Sequence, residues 1–269
     1  MSLLARMKDL LSPADTRSPR VAVFGDSHTA ALIRAQQAPS EGRNYDHIRI
    51  FRLQKEKGGK SVGDADLASF CRHIRNYAKD DFVFSAVGGN QYAVVSTVQG
   101  SIDFDFLTSP TDQDLASDRV ALMPLRAISS YLEQGVRGTV GPVLKRIRES
   151  TEAKVFHLAP PPPKEDNAFI AANFESRFAL EGIEKYGPTR PSLRLKCWKV
   201  QYDCLARLCE ELDIVLIAPP GKSVTGDGYL HPRSYAKDVT HANRRYGALV
   251  LDQISKVSRT GAFDQRPTT

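Results

Sequence analysis

Val21-Ala22-Val23-Phe24-Gly25-Asp26-Ser27-His28 is the stretch that decides the fold. Its unbroken apolar start has strand character and suits a strand covered on both faces. A Gly-Asp-Ser turn ends the run, and a helical pattern near Thr29–Gln37 begins at once. This places a serine hydroxyl at the carboxyl end of a strand and the amino end of a helix. In an open parallel sheet, ligands bind at that edge. The first N–H groups of a helix are unpaired and can hold an anion there.

Working outward, strand-like and helix-like runs alternate. His47–Leu53 reads as a second strand, followed by a glycine-rich loop over Lys57–Gly63 and an amphipathic segment over Asp64–Tyr77. Asp81–Val87 reads as a third strand running into Gly88-Gly89-Asn90. Helical patterns cover Asp114–Gln134 and Gly141–Ser150. Ala153–Ala159 reads as a fourth strand, stopped by Pro160–Pro163. A helix carrying Trp198 precedes a fifth strand, Asp213–Ala218, and Arg244–Val257 forms the last helix. Short apolar strands alternating with helices imply an α/β fold. The expectation is a flavodoxin-like doubly wound parallel sheet of about five strands, in three layers α/β/α. One domain is expected over 1–269, with its core at about 20–258 and a polar tail at 259–269. Gln91–Asp114 and Lys164–Arg190 read as insertions whose aromatics either wall the substrate or pack on the core.

Composition narrows the function classes. Hydrophobic content of 41% and charged content of 25% suit a soluble globular chain. No apolar run approaches the roughly 18–20 residues that span a bilayer. Met1–Leu11 is broken by Arg6, Lys8 and Asp9, which suits a surface helix and not a secretory core. The net charge of +6 is spread along the chain, with clusters at Arg43–Lys60 and Arg190–Lys199. It favours anionic substrates, but lacks the basic stripe with stacking aromatics that reads nucleic acid. Cys71, Cys197, Cys204 and Cys209 include no Cys-x-x-Cys pair, and Cys197 and Cys204 share one helix face. Small buried hydrophobes explain them without metal, cofactor or disulfide. A cytoplasmic location is expected.

A serine nucleophile needs a base, a group to orient that base, and donors for an oxyanion. Ser27 is the candidate nucleophile. His241 is the candidate base, with Asp238 three positions earlier in Asp238-Val239-Thr240-His241. Such a pair can also simply cap the following helix. Asn90 and a glycine of the Lys57–Gly63 loop, either Gly59 or Gly63, are the candidate oxyanion donors. Gly-Gly-Asn is equally a turn composition. Asp227-Gly228-Tyr229-Leu230-His231 offers a competing acid–base pair, but at a spacing of four.

Taken in order, these blocks resemble the SGNH (GDSL-type) hydrolase superfamily. Gly25-Asp26-Ser27 follows the first strand, a glycine the second and Gly88-Gly89-Asn90 the third. Asp238-Val239-Thr240-His241 precedes the last helix. The resemblance spans about Val21–Ile254. It implies that Ser27, Asp238 and His241 are catalytic, and that Ser27, Gly59 and Asn90 form the oxyanion hole. Gly59 is preferred over Gly63 because Gly58-Gly59-Lys60-Ser61 looks like the family's Gly-basic-Ser variant. Gln91 stands where the family usually has aspartate, and His28 where it usually has leucine; both are candidate substrate contacts. The implied activity is hydrolysis of small acyl esters, foremost acetyl esters and including those on carbohydrate, through an acyl-serine. An O-acyltransferase and a non-catalytic SGNH-fold binding module are the alternatives. Gly-x-Ser-x-Gly is absent, which removes the α/β-hydrolase elbow.

Overall fold

The computed structural model describes residues 17–57, 59–109 and 120–262. The expectations for Met1–Leu11, for 114–119 and for the end of the tail lie outside them. Five parallel strands form the sheet: β1 (Val21–Gly25), β2 (Ile48–Arg52), β3 (Phe82–Ala86), β4 (Lys154–Leu158) and β5 (Val215–Ile217). Their order is β2-β1-β3-β4-β5, with Val21 beside Ile48 on one side and Phe82 on the other. The chain leaves β1 in one direction and then crosses back to lay β3 on its far side. The carboxyl ends of β1 and β3 therefore flank the topological switch point, where such sheets bind ligands.

Ten helices follow in chain order among the described residues: α1 (Thr29–Gln37), α2 (Leu67–Ile74), α3 (Gln91–Ser96), α4 (Leu125–Thr139), α5 (Gly141–Arg148), α6 (Asn167–Ala172), α7 (Ser176–Leu180), α8 (Ile183–Tyr186), α9 (Pro191–Glu211) and α10 (Arg244–Thr260). Strand alternation sends Val21 and Val23 to one face of the sheet and Ala22 and Phe24 to the other. The first face packs against α1 and α10, through Leu32, Leu251 and Ile254. The second packs against α2, α4, α5 and α9, through Phe70, Leu132, Leu144 and Leu205. The three-layer α/β/α sandwich expected from the strand rhythm is present. A Cβ on Gly247 would lie 2.1 Å from the Ala31 carbonyl oxygen, so glycine alone lets α10 sit this close to α1. All four cysteines are free and buried, and three of them pack along α9. No helix among the described residues is long and apolar enough to cross a membrane.

Three expectations change. The glycine-rich loop is a small antiparallel ribbon, Lys55–Lys57 against Lys60–Val62, and Gly59 lies in its turn. The helix placed over Asp114–Gln134 starts only at Leu125, after Pro124, and continues to Thr139 through Gly135 and Gly138. Gly135 is tolerated because Gln91 occupies its side: a Cβ there would lie 3.0 Å from Gln91 Cγ. Ala121–Leu122 pairs instead with Phe104–Asp105 as a two-residue ribbon. The insertion over Lys164–Arg190 holds α6, α7 and α8. Its Ile170, Phe178 and Ile183 gather around Val239 in a small separate apolar cluster. It therefore buttresses the segment between Asp238 and His241.

Candidate active site

β1 ends at Gly25, and α1 begins four residues later. Thr29 and Ala30 donate their N–H groups to the Asp26 and Ser27 carbonyls, so the first helical turn closes directly over Ser27. Across the molecule, Asp238 and His241 share a tight turn ahead of α10. Asp238 Oδ1 accepts the His241 backbone N–H at 2.7 Å, and Oδ2 accepts from His241 Nδ1 at 3.0 Å. A carboxylate only accepts, so Nδ1 carries the hydrogen and Nε2 is left as an acceptor. That Nε2 lies 2.8 Å from Ser27 Oγ. Burial alone would raise the Asp238 pKa, but the hydrogen bonds and charge of His241 hold it at about 2. The turn is fixed by Asn243, whose side chain caps α10 at Arg245 and donates to the Arg233 and Tyr235 carbonyls. His231, the competing histidine, accepts from the Arg233 N–H at 3.1 Å and caps a short 3₁₀ turn.

Asn90 follows β3, across the switch point from Ser27. It is half-buried at the N-cap of α3 and its side chain makes no capping hydrogen bond. Its turn is gripped from both ends. Asp26 accepts the Gly88 N–H at 2.9 Å, and Gln201 from α9 accepts the Tyr92 N–H and donates to the Gly89 carbonyl. Burial works to raise the Asp26 pKa, but His28, Gly88 and Lys55 bring it to about 2. Asp26 is thus a charged strut between the Ser27 and Asn90 turns. The sequence displays Asp26 within its motif without revealing this role, and nothing in the sequence marks Gln201.

The two candidate glycines are placed differently. Gly59 sits at φ +72° in the ribbon turn, where a Cβ would meet open space. Three residues of extended chain carry it roughly 10 Å from the base of the ribbon. Gly63 is back at that base with φ +122°, and a Cβ there would lie 2.6 Å from the Leu53 carbonyl oxygen. Leu53 in turn donates to the Gly25 carbonyl at 2.7 Å, two residues before Ser27. The geometry therefore brings Gly63 to the sheet edge in place of the preferred Gly59. The Gly-basic-Ser string Gly59-Lys60-Ser61 folds as the turn and return strand of the ribbon.

His28 stands at the N-cap position of α1 without a capping hydrogen bond, its ring centroid 5.3 Å from that of His241. Its Nδ1 lies 3.4 Å from Asp26 Oδ1, and its buried Nε2 has no partner. The ring forms part of the wall of a cavity of about 20 Å³, with Ala86, Leu158, Pro160, Tyr246 and Val250. Gln91 donates to Thr139 Oγ1 at 2.7 Å. Glu175 joins Asp238 and His241 so that one ligand atom from each lies within 4.8 Å of the others. Those atoms already serve hydrogen bonds: Glu175 Oε2 accepts the Val239 N–H, and both Asp238 oxygens bind His241.

No family model matches this chain, and no curated protein does. Among solved structures, the chain is similar to a GDSL-like lipase from Bacteroides thetaiotaomicron VPI-5482 at 12% identity and TM-score 0.48, covering 96% of each chain. It is similar to phospholipase A1 from Streptomyces albidoflavus NA297 at 12% identity and TM-score 0.45, over 87% of this chain and 98% of that one. It is also similar to a carbohydrate acetylesterase from Sinorhizobium meliloti at 13% identity and TM-score 0.40, over 89% and 99%.

Proposed function

We propose that this chain is a serine esterase of the SGNH type, hydrolysing small acyl esters through an acyl-serine. The observation that carries the reading is the continuous relay from Asp238 through His241 to Ser27 at the switch point. In this mechanism His241 Nε2 takes the Ser27 proton as Oγ attacks the ester carbonyl. Asp238 keeps the imidazole in the needed tautomer and stabilises the imidazolium. The oxyanion is held by the Ser27 N–H, the Asn90 amide and the Gly63 N–H. His241 then gives its proton to the departing alcohol, and the acyl group stays on Ser27. Water, deprotonated by the same imidazole, releases the acid and restores the serine.

The unpartnered His28 Nε2 supports a contact with substrate. Lys55, whose Nζ lies 4.0 Å from Asp26 Oδ2, adds positive charge at the edge of the site. Together with the overall basic balance, it favours an anionic alcohol portion such as an acidic sugar.

The test is hydrolysis of p-nitrophenyl acetate, butyrate and octanoate by the wild-type chain and Ser27→Ala. The expected result is turnover of the short-chain esters and its loss in the variant. Unchanged turnover by Ser27→Ala would remove the nucleophile.

A further inference from the structure

Lys164 follows the Pro160–Pro163 run and is only 1% exposed, a rare setting for an ammonium group. Its Nζ donates to the Ala236 carbonyl at 2.7 Å and to the Asp238 carbonyl, and lies 3.4 Å from Asp238 Oδ1. An ammonium has three donors, and here it faces three acceptors. The rings of Phe169 and Tyr235 flank it, with centroids at 5.0 and 5.3 Å. Its own carbonyl is gripped by the Arg194 guanidinium from α9. The lysine is thus anchored at its backbone and spends its whole head group on one short segment, 236–238. That segment aims the Asp238 carboxylate at His241.

We propose that Lys164 is a positioning residue for the triad, clamping the Asp238 segment and setting, through its charge, how readily His241 takes a proton. The inference rests on the esterase reading and deepens it, because it assigns pH control of that site to one buried amine. Lys164 lowers the Asp238 pKa by its charge, and loss of the ammonium would leave the carboxylate's pull on the imidazole unopposed. The charged and titratable groups around Lys164 are Asp238 and His241 ahead of α10, Glu175 ahead of α7, Tyr235 and Arg194. Burial pushes the Lys164 ammonium down to about 8, with Asp238 and Glu175 pulling the other way. The clamp therefore loses its charge within the range of an ordinary assay.

The experiment compares wild type, Lys164→Met and Lys164→Arg in kcat/KM for p-nitrophenyl acetate from pH 5 to 9.5, after subtracting spontaneous hydrolysis. A histidine-ring NMR titration of the full chain runs in parallel. Removing the charge in Lys164→Met should move the acid limb and the His241 ring titration upward by about one pH unit. It should also lower kcat by about tenfold or more through misplacement of the carboxylate. The wild type should lose activity above about pH 8, as the amine deprotonates. Lys164→Arg keeps its charge throughout that range and should stay flat there. Matching alkaline limbs in wild type and Lys164→Arg would overturn the proposal, and so would an unmoved His241 titration in Lys164→Met. If Lys164→Met does not fold, the alkaline-limb comparison decides alone. If the wild type releases no nitrophenol, the esterase reading fails, while the ring titration still decides whether Lys164 governs His241.

Discussion

His241 Nε2 reaches Ser27 Oγ at 2.8 Å although 214 positions of chain separate the two residues. Ser27 is delivered by the end of β1 and His241 by the turn before α10. The close seating of α10 on α1 brings the two ends together. The pair is therefore a product of helix packing as much as of the two motifs.

Replacing each histidine separates the relay from its competitor. His241→Ala should lower kcat by at least about 10³-fold, since among the described residues His241 is the base hydrogen-bonded to Ser27 Oγ. Asp238→Asn should cost about 10³–10⁴-fold by releasing the wrong tautomer. His231→Ala loses only a cap, worth about 1 kcal/mol, and should leave kcat within a few-fold. Steady-state kinetics and thermal melting on the three variants read this out; similar losses at both histidines would contradict the assignment.

Alanine at the two glycines tests the oxyanion choice. Gly59→Ala meets no atom and strains only a positive φ, so activity should stay within about threefold at a cost of about 1–2 kcal/mol in stability. Gly63→Ala collides with the Leu53 carbonyl at the base of the ribbon, and should cost at least tenfold in kcat/KM. A larger activity loss at Gly59 than at Gly63 would return the role to the ribbon turn.

Acid should destabilise the fold through His157. It is 1% exposed on β4 and sits against the Ser85 backbone. Burial lowers its pKa from 6.5 to about 4. Above about pH 6.5 the ring is neutral folded and unfolded, and its contribution is fully retained. Between about pH 6.5 and 4 the unfolded chain binds the proton first, so stability falls with pH by up to about 3 kcal/mol. Urea unfolding at pH 7 and pH 4.5 should show that loss, and His157→Leu should flatten it. An equally steep loss in the variant would place the acid sensitivity elsewhere.

Much of this was legible because the strands are short, mainly apolar runs bounded by glycine, proline or a polar turn. Ser27, Asn90 and His241 stand just beyond such boundaries or ahead of the last helix, so motif and topology pointed to one edge. The Lys55–Val62 ribbon was not legible: its lysines, glutamate and glycines show no apolar alternation, and backbone pairing makes it a hairpin. Gly135 and Gly138 lie within α4, beyond the helical pattern ending at Gln134, and Gln91 fills the space beside Gly135. Lys164 and Gln201 carry no local signal, since a lysine after prolines or a glutamine in a helix reads as a solvated residue. Only tertiary packing turns them inward.

The Gly247–Ala31 contact has a consequence for the order of events in the cell. α1 is synthesised well before α10, so a nascent chain still lacking α10 also lacks the partner that completes the reactive couple. The contact between Ser27 and His241 is withheld until α10 leaves the exit tunnel and docks on α1.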